Sequence, residues 1–334
     1  MHYLLYSIKR GYNFKKIRLV KRMKKFKIVF LLLVLTLVVL GFFVSKDKNV
    51  EVVETKKIVS VSTFFIYDIA KHIAGNTLKI VNILPFGTDP HSFEPTPKLM
   101  ASIEKSALVI YSGAGLEPWI DAIKFKSKAI DLSKHVKLRE LGSDEFEFHA
   151  HHDEQCAHSK IDPHYWLDFQ NMQIATNVIT EEFIKLEPKY KGFYLENRDK
   201  YIKMLQKLEK SYKRYLSACK VNTVILNHNA IGYLANKYGF HAESLSGLSP
   251  EANPTPDDMK RIFRIIKEHG ASTIFFENFV SNKAMQTIAH DAKVKIDFLE
   301  PLGNITADEA KENITYEDIM YKNLEKLSKA LVCH

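Results

Sequence analysis

The chain contains 334 residues, 46% hydrophobic and 26% charged, as is ordinary for a globular protein with room for two domains. Its net charge of +9 arises at the N-terminus, because residues 1–44 carry ten Lys or Arg and no acidic residue. The rest of the chain has 38 basic and 39 acidic residues, a net charge of −1. This balance excludes the basic surface that nucleic-acid binding requires, so we expect no DNA or RNA partner.

Residues 1–44 are predicted to form an N-terminal signal or anchor segment. Ile28 to Val44 is an uncharged run of 17 residues that follows three closely spaced lysines. This pattern is typical of an export signal, and its length is also close to the minimum for a membrane span, about 17 residues. Positive charges before the run place the body of the protein outside the cytoplasm. Two alternatives stay open, a cleaved signal that starts at Met1 or Met23 and an uncleaved anchor, which alone would attach the chain to a membrane.

After a charged linker at 45–56, strands and helices are predicted to alternate. The predicted strands are 57–63, 78–84, 107–112 and 128–132, and the predicted helices are 64–74, 97–106 and 116–125. Strands that alternate with helices favour a parallel α/β arrangement. We therefore assign an N-terminal α/β lobe to residues 57–168.

One segment of this lobe, 142–160, breaks the alternation. It is polar, acidic and rich in histidine, with four His residues at 149, 151, 152 and 158. Histidine clusters bind zinc-type ions, so the segment is predicted to be a loop that captures metal transiently. The alternative is a solvated loop without a function.

Two helices are predicted in the region 169–219, at 171–185 and 188–218. The second has the apolar spacing of a long amphipathic helix. At 1.5 Å per residue, its ~30 residues would span about 45 Å, which suits a helix that crosses two lobes.

The alternation returns in residues 220–334, which we assign to a C-terminal α/β lobe. Its predicted strands are 222–227, 241–245, 272–277 and 294–299, and its predicted helices are 230–238, 255–270, 282–292 and 316–331. Exported chains can form disulfides. A Cys219–Cys333 bridge would attach the end of the chain to the end of the long helix and leave Cys156 in the His-rich loop.

The tripeptide Asp-Pro-His occurs twice, at Asp89–His91 and at Asp162–His164. Proline fixes its own φ and so stiffens the chain that leads into each imidazole. An Asp two residues before a metal-bound His is placed to accept a hydrogen bond from the ring N–H and to select its tautomer. The alternative is two ordinary loops, but two copies on either side of a His-rich segment favour a metal site.

The residues with metal-binding chemistry lie where predicted strands end, and in open α/β sheets ligands bind beyond the carboxyl ends of strands. The predicted ligands are His91, His164, His228 and Glu300. Three imidazoles and one carboxylate complete a tetrahedral zinc site, and the set is also compatible with manganese. Two alternatives concern the second lobe: Glu277 is a rival for the carboxylate ligand, and His228 has a competing interpretation as a core histidine.

Several motifs resemble those of the solute-binding proteins of zinc/manganese ABC transporters, the TroA-like cluster. They are G-T-D-P-H-S-F-E-P-T-P at 87–97, the His-rich loop, D-P-H-Y-W-L-D at 162–168, N-H-N-A-I-G-Y-L at 227–234, F-F-E at 275–277 and L-E-P-L-G at 299–303. The resemblance runs from about Lys57 to Cys333. It implies two parallel α/β lobes joined by one long rigid helix, with the metal in the cleft between them. The family's ligand positions fall on the four predicted ligands.

Two positions depart from the family pattern. Asn229 stands where the family usually has Asp, which changes a neighbour of His228. Glu300 stands where Asp is common, so its longer side chain either binds the metal directly or leaves room for water.

The resemblance implies an extracytoplasmic monomer that captures zinc and passes it to a membrane permease driven by a cytoplasmic ATPase. A third histidine and a His-rich loop are features that the family associates with zinc. A manganese-binding paralogue and a zinc-dependent hydrolase are the alternatives, although the chain contains no HExxH motif. We expect no enzymatic activity and no adhesin role, and we expect zinc binding to weaken below about pH 6 as imidazoles become protonated.

Overall fold

The computed structural model describes residues 22–27, 29–40, 55–142, 160–248, 255–277 and 283–334. The chain forms two compact units, Met1–Thr55 and Lys56–His334. In the first unit, residues 22–27 and 29–40 are helical and exposed. Within the described residues, no helix has both the length and the apolar character needed to cross a membrane. Positions 1–21, 28 and 41–44 of the predicted signal or anchor lie outside the described residues.

The second unit begins with a sheet of four parallel strands. These are β1 (Ile58–Val61), β2 (Lys79–Asn82), β3 (Leu108–Tyr111) and β4 (Lys128–Asp131), in the order β2-β1-β3-β4. Each strand lies within its predicted range. Because all four strands are parallel, their carboxyl ends lie at the same edge of the sheet.

The helices of the first lobe begin and end where local chemistry favours it. Helix α1 (Phe64–Ala74) has the predicted bounds and stops at Gly75, whose φ of 52° is easily adopted only by glycine. Helix α2 (Pro97–Ile103) has proline at its first position, and the Thr96 side chain accepts from the backbone N–H of Leu99.

The prediction of a helix at 116–125 is wrong. Only a short 3-10 helix forms there, Pro118–Ala122. The reason is Glu117, whose buried carboxylate accepts from the backbone N–H groups of Ser112 and Gly113 and so turns back into the preceding loop. Burial raises the pKa of Glu117 to about 7, although these hydrogen bonds act in the opposite direction.

An antiparallel ladder of two short strands, β5 (Arg139–Glu140) and β6 (Ile161–Asp162), was not predicted. Two residues are too few to show a periodic pattern. The backbone N–H of Leu141 donates to the carbonyl of Lys160 at 2.8 Å, which continues the pairing. Most of the predicted His-rich loop, 143–159, lies outside the described residues, so metal capture by that loop stays a prediction.

Two long helices follow, α3 (Phe169–Leu186) and α4 (Lys191–Tyr215). The Asp168 side chain caps α3 by accepting from the first backbone N–H groups of the helix. Helix α4 contains 25 residues, about 38 Å, and is therefore shorter than predicted. Its buried stripe consists of Tyr194, Tyr201, Leu205, Leu208 and Tyr212.

The second lobe repeats the topology of the first. Its strands are β7 (Thr223–Leu226), β8 (His241–Ser244), β9 (Thr273–Phe276) and β10 (Lys295–Phe298), in the order β10-β9-β7-β8. All pairs are parallel. In both sheets, therefore, the first and third strands in chain order lie side by side, and their connections leave in opposite directions. That point is where open α/β sheets bind ligands.

The helices of the second lobe are α5 (Gly232–Tyr238), α6 (Pro256–His269), α7 (Lys283–Ala292), α8 (Ala307–Lys311) and α9 (Tyr316–Ala330). Helix α9 packs on α4, which also packs on α1, so the long helix contacts both lobes as expected. A disulfide between Cys219 and Cys333 joins the chain beyond α9 to the chain beyond α4.

Candidate metal centre

Three histidines from separate parts of the chain converge in one buried cluster. Each of His91, His164 and His228 offers a ring nitrogen, and these nitrogens lie within 4.8 Å of one another. Nε2 of His91 and Nε2 of His164 are 3.3 Å apart. Two tetrahedral ligands with Zn–N bonds of about 2.0–2.1 Å would be separated by about 3.3 Å. The spacing of these two nitrogens therefore suits a single zinc-sized ion.

Asp162 fixes the tautomer of His164. Its Oδ1 accepts from the backbone N–H of His164 and lies 2.9 Å from the ring Nδ1. An ionised carboxylate can only accept, so the ring proton is on Nδ1 and the lone pair is on Nε2. Burial raises the pKa of Asp162, but the hydrogen bond and charge of His164, together with the charge of Arg139, outweigh it and lower that pKa overall. The interaction predicted for the second tripeptide is therefore present.

The corresponding prediction for the first tripeptide is wrong. Oδ1 of Asp89 accepts from the backbone N–H of His91 at 2.9 Å, and within the described residues Asp89 makes no hydrogen bond to the ring. An Asp side chain that binds the backbone two residues ahead forms a local turn. Asp89 therefore shapes the loop that carries His91 instead of selecting the ring tautomer.

The loop that carries His91 is also held by the second lobe. Nδ2 of Asn304 donates to the carbonyls of Pro85 and Thr88, each at 2.7 Å. Three more hydrogen bonds join the lobes nearby, from Phe64 N–H to Gly303, from Gly87 N–H to Ile305 and from the Trp166 indole to Pro301. The segment 301–305 therefore binds both the loop that carries His91 and Trp166, which lies two residues after His164.

His228 and Glu277 come together through strand register. Leu226 of β7 pairs with Phe275 of β9, so the residues two positions further along, His228 and Glu277, lie opposite each other. Nδ1 of His228 is in close contact with Oε1 of Glu277. Both ring nitrogens are buried, and neither makes a hydrogen bond in the described part of the chain. The arrangement resembles that of Asp162 and His164, with a carboxylate at Nδ1.

Glu300 is buried but lies one strand further away. It follows β10, which pairs with β9 and is not adjacent to β7, the strand that leads to His228. Its backbone N–H donates to Oδ1 of Asn323 at 3.1 Å. Burial and the nearby charges of Glu309 and Glu277 raise the pKa of Glu300 to about 8. Burial, followed by the charge of Asp89, raises the pKa of Glu277 well above its usual range.

Two of the imidazoles are held in their neutral form. Burial lowers the pKa of His91 to about 3, and the neighbouring His164 and His228 add to this effect, although Asp89 and Asp162 oppose it. Burial lowers the pKa of His228 to about 4 against the charges of Asp89 and Asp162. Neutral imidazole is the form that binds metal ions. Protonation of these two rings therefore does not account for the expected weakening of zinc binding below about pH 6.

A small cavity of about 20 Å³ lies among these side chains. Its lining consists of Asp89, Pro90, His91, His164, Trp166, His228, Glu277, Pro301, Gly303 and Asn304. A volume of this size accommodates one water molecule or one ion, but no larger ligand. Glu277 borders the cavity, whereas Glu300 lies just outside this lining and its chain neighbour Pro301 is part of it.

Sequence reasoning did not identify Arg139, Trp166 or Asn304 as parts of this site. Each acts through a contact between distant segments, such as the 2.6 Å hydrogen bond from Nε1 of Trp166 to the carbonyl of Pro301. Trp166 lies within the quoted motif D-P-H-Y-W-L-D and Asn304 directly follows L-E-P-L-G, which was the available signal. Arg139 lies in no motif.

Residues 59–330 match the family described as zinc-uptake complex component A, periplasmic. The chain is 30% identical over 279 residues to the high-affinity zinc uptake system protein ZnuA of Bacillus subtilis, covering 81% of this chain and 87% of that protein. It is 31% identical over 275 residues to the zinc-binding lipoprotein AdcA of Streptococcus pneumoniae. This match covers 80% of the chain but only 55% of AdcA.

Solved structures of similar proteins share the fold. The laminin binding protein Lmb of Streptococcus agalactiae, described as an adhesin with metal-transporting activity, superposes with a TM-score of 0.72 at 27% identity. That match covers 82% of this chain and 99% of Lmb. Zn(II)-bound AdcA from Streptococcus pneumoniae superposes with a TM-score of 0.69 at 28% identity, covering 83% of this chain and 58% of AdcA.

Proposed function

Because this chain belongs to the family of periplasmic zinc-uptake complex component A proteins, we propose that it captures zinc outside the cytoplasm and delivers it to an ABC importer. The observation that carries the proposal is the buried cluster of His91, His164 and His228, whose ring nitrogens surround a cavity of ionic size. The first two come from the N-terminal lobe and the third from the C-terminal lobe. A bound ion therefore bridges the two lobes.

The proposed ligands are the three histidines and the carboxylate of Glu300. Asp162 and Glu277 each lie at Nδ1 of a histidine, which is the place of the partner that orients a metal-bound imidazole. That role occupies Glu277 and leaves Glu300, a buried carboxylate of the same lobe, as the fourth ligand.

Zinc is the preferred cargo in this proposal. Three neutral imidazoles suit zinc, whereas manganese favours carboxylate and water oxygens. A cavity for one ion also leaves little room for the additional waters of an octahedral site. Zinc-binding relatives, including the Zn(II)-bound AdcA structure, support the same choice.

The proposed role is capture, not catalysis. A catalytic zinc site keeps one coordination position open for water. A set of three histidines and one carboxylate fills all four positions, and the sequence has no HExxH motif. Zinc-dependent ester hydrolysis by the purified protein, abolished in Glu277→Gln, would contradict this role.

The proposed partners are the membrane permease and the cytoplasmic ATPase of an importer. The family description places its members in the periplasm and in zinc uptake. The apolar N-terminal segment would export the chain as a signal or retain it at the membrane as an anchor. Zinc uptake from low-zinc medium should fall when the gene is removed from its host and should recover when it is restored.

Equilibrium dialysis of metal-free protein against zinc or manganese tests the proposal. The unsubstituted protein should bind one zinc ion and prefer it to manganese. The double variant His91→Ala, His164→Ala should lose more affinity than the about 10–100-fold cost of removing an outer-shell partner. A double variant of two exposed histidines, His135→Ala and His241→Ala, is the matched control and should bind as the unsubstituted protein does. Zinc affinity that survives the first double variant would overturn the proposal.

A further inference from the structure

The carboxylate of Asp162 is shared between His164 and Arg139. Oδ1 faces the backbone N–H and the ring Nδ1 of His164, each at 2.9 Å. Oδ2 accepts from Nε of Arg139 at 3.1 Å and from Nη2 at 2.8 Å. The carboxylate is fully buried, and the Arg139 side chain is only 17% exposed. Both oxygens are thus engaged, which leaves the carboxylate little freedom to rotate.

Residues of the second lobe contact the same ion pair. The hydroxyl of Tyr233, on α5, accepts from the backbone N–H of Arg139 at 2.7 Å and donates to the carbonyl of Asp162 at 3.0 Å. The guanidinium also lies 5.9 Å from the centre of the Tyr233 ring. Tyr233 therefore holds the backbone of both β5 and β6, the strands that carry the two charged residues.

Gly232 permits this close approach. A Cβ atom added at Gly232 would lie 2.2 Å from Nη2 of Arg139 and 2.8 Å from Oδ2 of Asp162. These distances are far shorter than van der Waals contact. Any side chain at this position would displace the guanidinium. Position 232 follows His228 by four residues. One short stretch of the second lobe therefore carries both a proposed metal ligand and the glycine against which the Arg139 guanidinium packs.

A fixed fork is what this position requires. The planar guanidinium presents two donors, Nε and Nη2, to one oxygen of the carboxylate, whereas a lysine ammonium acts as a point charge on a flexible chain. Removing the cation would leave Asp162 as a buried carboxylate held only by His164, and buried charges without a partner are strongly disfavoured. The orientation of Asp162, and with it the orientation of the His164 ring, then depends on Arg139.

We propose that Arg139, seated on Gly232 and Tyr233 of the opposite lobe, is a positioning residue that holds Asp162 and thereby aims Nε2 of His164 at the ion. This inference rests on the proposed function, because it assumes that His164 binds the cargo. Arg139 reaches His164 through the shared carboxylate of Asp162. Its seat lies on the other lobe, so the arrangement makes the geometry of a first-lobe ligand depend on contact between the lobes.

The test combines zinc affinity with the visible absorption spectrum of the protein saturated with Co²⁺, which reports ligand geometry. Arg139→Met should weaken zinc binding about 10-fold or more, and should shift or weaken the Co²⁺ bands even at saturation. Arg139→Lys should recover part of both properties. Gly232→Ala should reproduce the change from the opposite lobe, with Arg139 and Asp162 intact. Arg261→Met, which removes another partly buried ion pair, with Glu243, is the control and should change neither readout.

The spectrum separates positioning from simple loss of stability, because a destabilised protein with an intact site regains the original bands once it is saturated. Arg139→Met and Gly232→Ala spectra and affinities equal to those of the unsubstituted protein would overturn the inference. Should Arg139→Met fail to fold, Arg139→Lys and Tyr233→Phe give the same test with smaller changes. Failure of the unsubstituted protein to bind zinc would instead count against the proposed function itself.

Discussion

Glu277 lies opposite His228 because β7 and β9 are parallel neighbours in register, and its carboxylate contacts Nδ1 of that ring. Asp162 lies at Nδ1 of His164 in the first lobe. Each lobe thus presents a histidine with a carboxylate behind it, and Nε2 is the nitrogen that remains for an ion. The two carboxylates of the second lobe, Glu277 and Glu300, are therefore expected to have different roles.

Glu277→Gln and Glu300→Gln should weaken zinc binding to different extents. The first removes the carboxylate in contact with Nδ1 of His228 and should cost about 10–100-fold in affinity. The second removes a proposed ligand and should cost more. Competition with a chelator of known affinity measures both. The reverse ranking would identify Glu277 as the ligand, and Glu243→Gln, on the solvent side of β8, should have little effect.

Asn304→Ala should reduce both stability and zinc affinity. It leaves the carbonyls of Pro85 and Thr88 without their donor, at a cost of about 1–3 kcal/mol in the free energy of unfolding. It also loosens the loop that carries His91. Asn197→Ala, which removes a hydrogen bond to Ile73 on another face, should affect stability but not zinc affinity. Unchanged zinc affinity in Asn304→Ala would show that the loop holds its shape by itself.

Cys219→Ser should destabilise the fold without affecting the metal site. The disulfide links positions separated by 114 residues, so its loss enlarges the conformational freedom of the unfolded chain. We expect a decrease of about 2–5 kcal/mol in the free energy of unfolding. Urea titration measures this decrease, and reduction of the unsubstituted protein should give the same value.

The ion pair of His72 with Asp68 should make stability depend on pH. Burial alone would lower the pKa of His72, but the hydrogen bonds and charge of Asp68, helped by Glu317, raise it to about 9. A raised pKa means that protonated His72 stabilises the fold fully below its unfolded value of about 6.5. This contribution is lost as the pH rises through about 9. The His72 side chain is 46% exposed, so solvent reduces the size of the effect.

Thermal melts of the unsubstituted protein and of His72→Gln should therefore differ most near pH 6 and converge above pH 9. His135→Gln, at an exposed site, is the control and should not change the pH dependence. A difference between the melts that is constant from pH 6 to pH 10 would exclude this origin.

The fold was predictable where local chemistry determines it. Helix α1 has the expected ends because its apolar spacing stops at Gly75, whose backbone conformation only glycine adopts easily. The expected helix at 116–125 fails because Glu117 binds backbone groups that precede it in the chain. No periodic pattern reveals a side chain that folds back in this way. The ladder of β5 and β6 was too short to be recognised.

The residue types of the candidate site were predictable from the sequence, but the contacts that hold those side chains in place were not. The three histidines do converge, although His164 follows the short strand β6 and only His228 closely follows a strand of a four-stranded parallel sheet. The contact of Glu277 with His228 depends on the register of β7 and β9, which sequence does not specify. The separate roles of Asp89 and Asp162 depend on which donor each carboxylate reaches, although their tripeptides are identical.

The hydrogen bonds between segment 301–305 and the first lobe have a consequence for release. They join the two lobes through the protein itself, in addition to any metal–ligand bonds. Release of a bound ion then requires breaking the hydrogen bonds between the lobes as well as the metal–ligand bonds. Thermal fluctuation alone would separate the lobes slowly. In the proposed function, the importer that receives the ion would therefore have to separate the two lobes in order to release it.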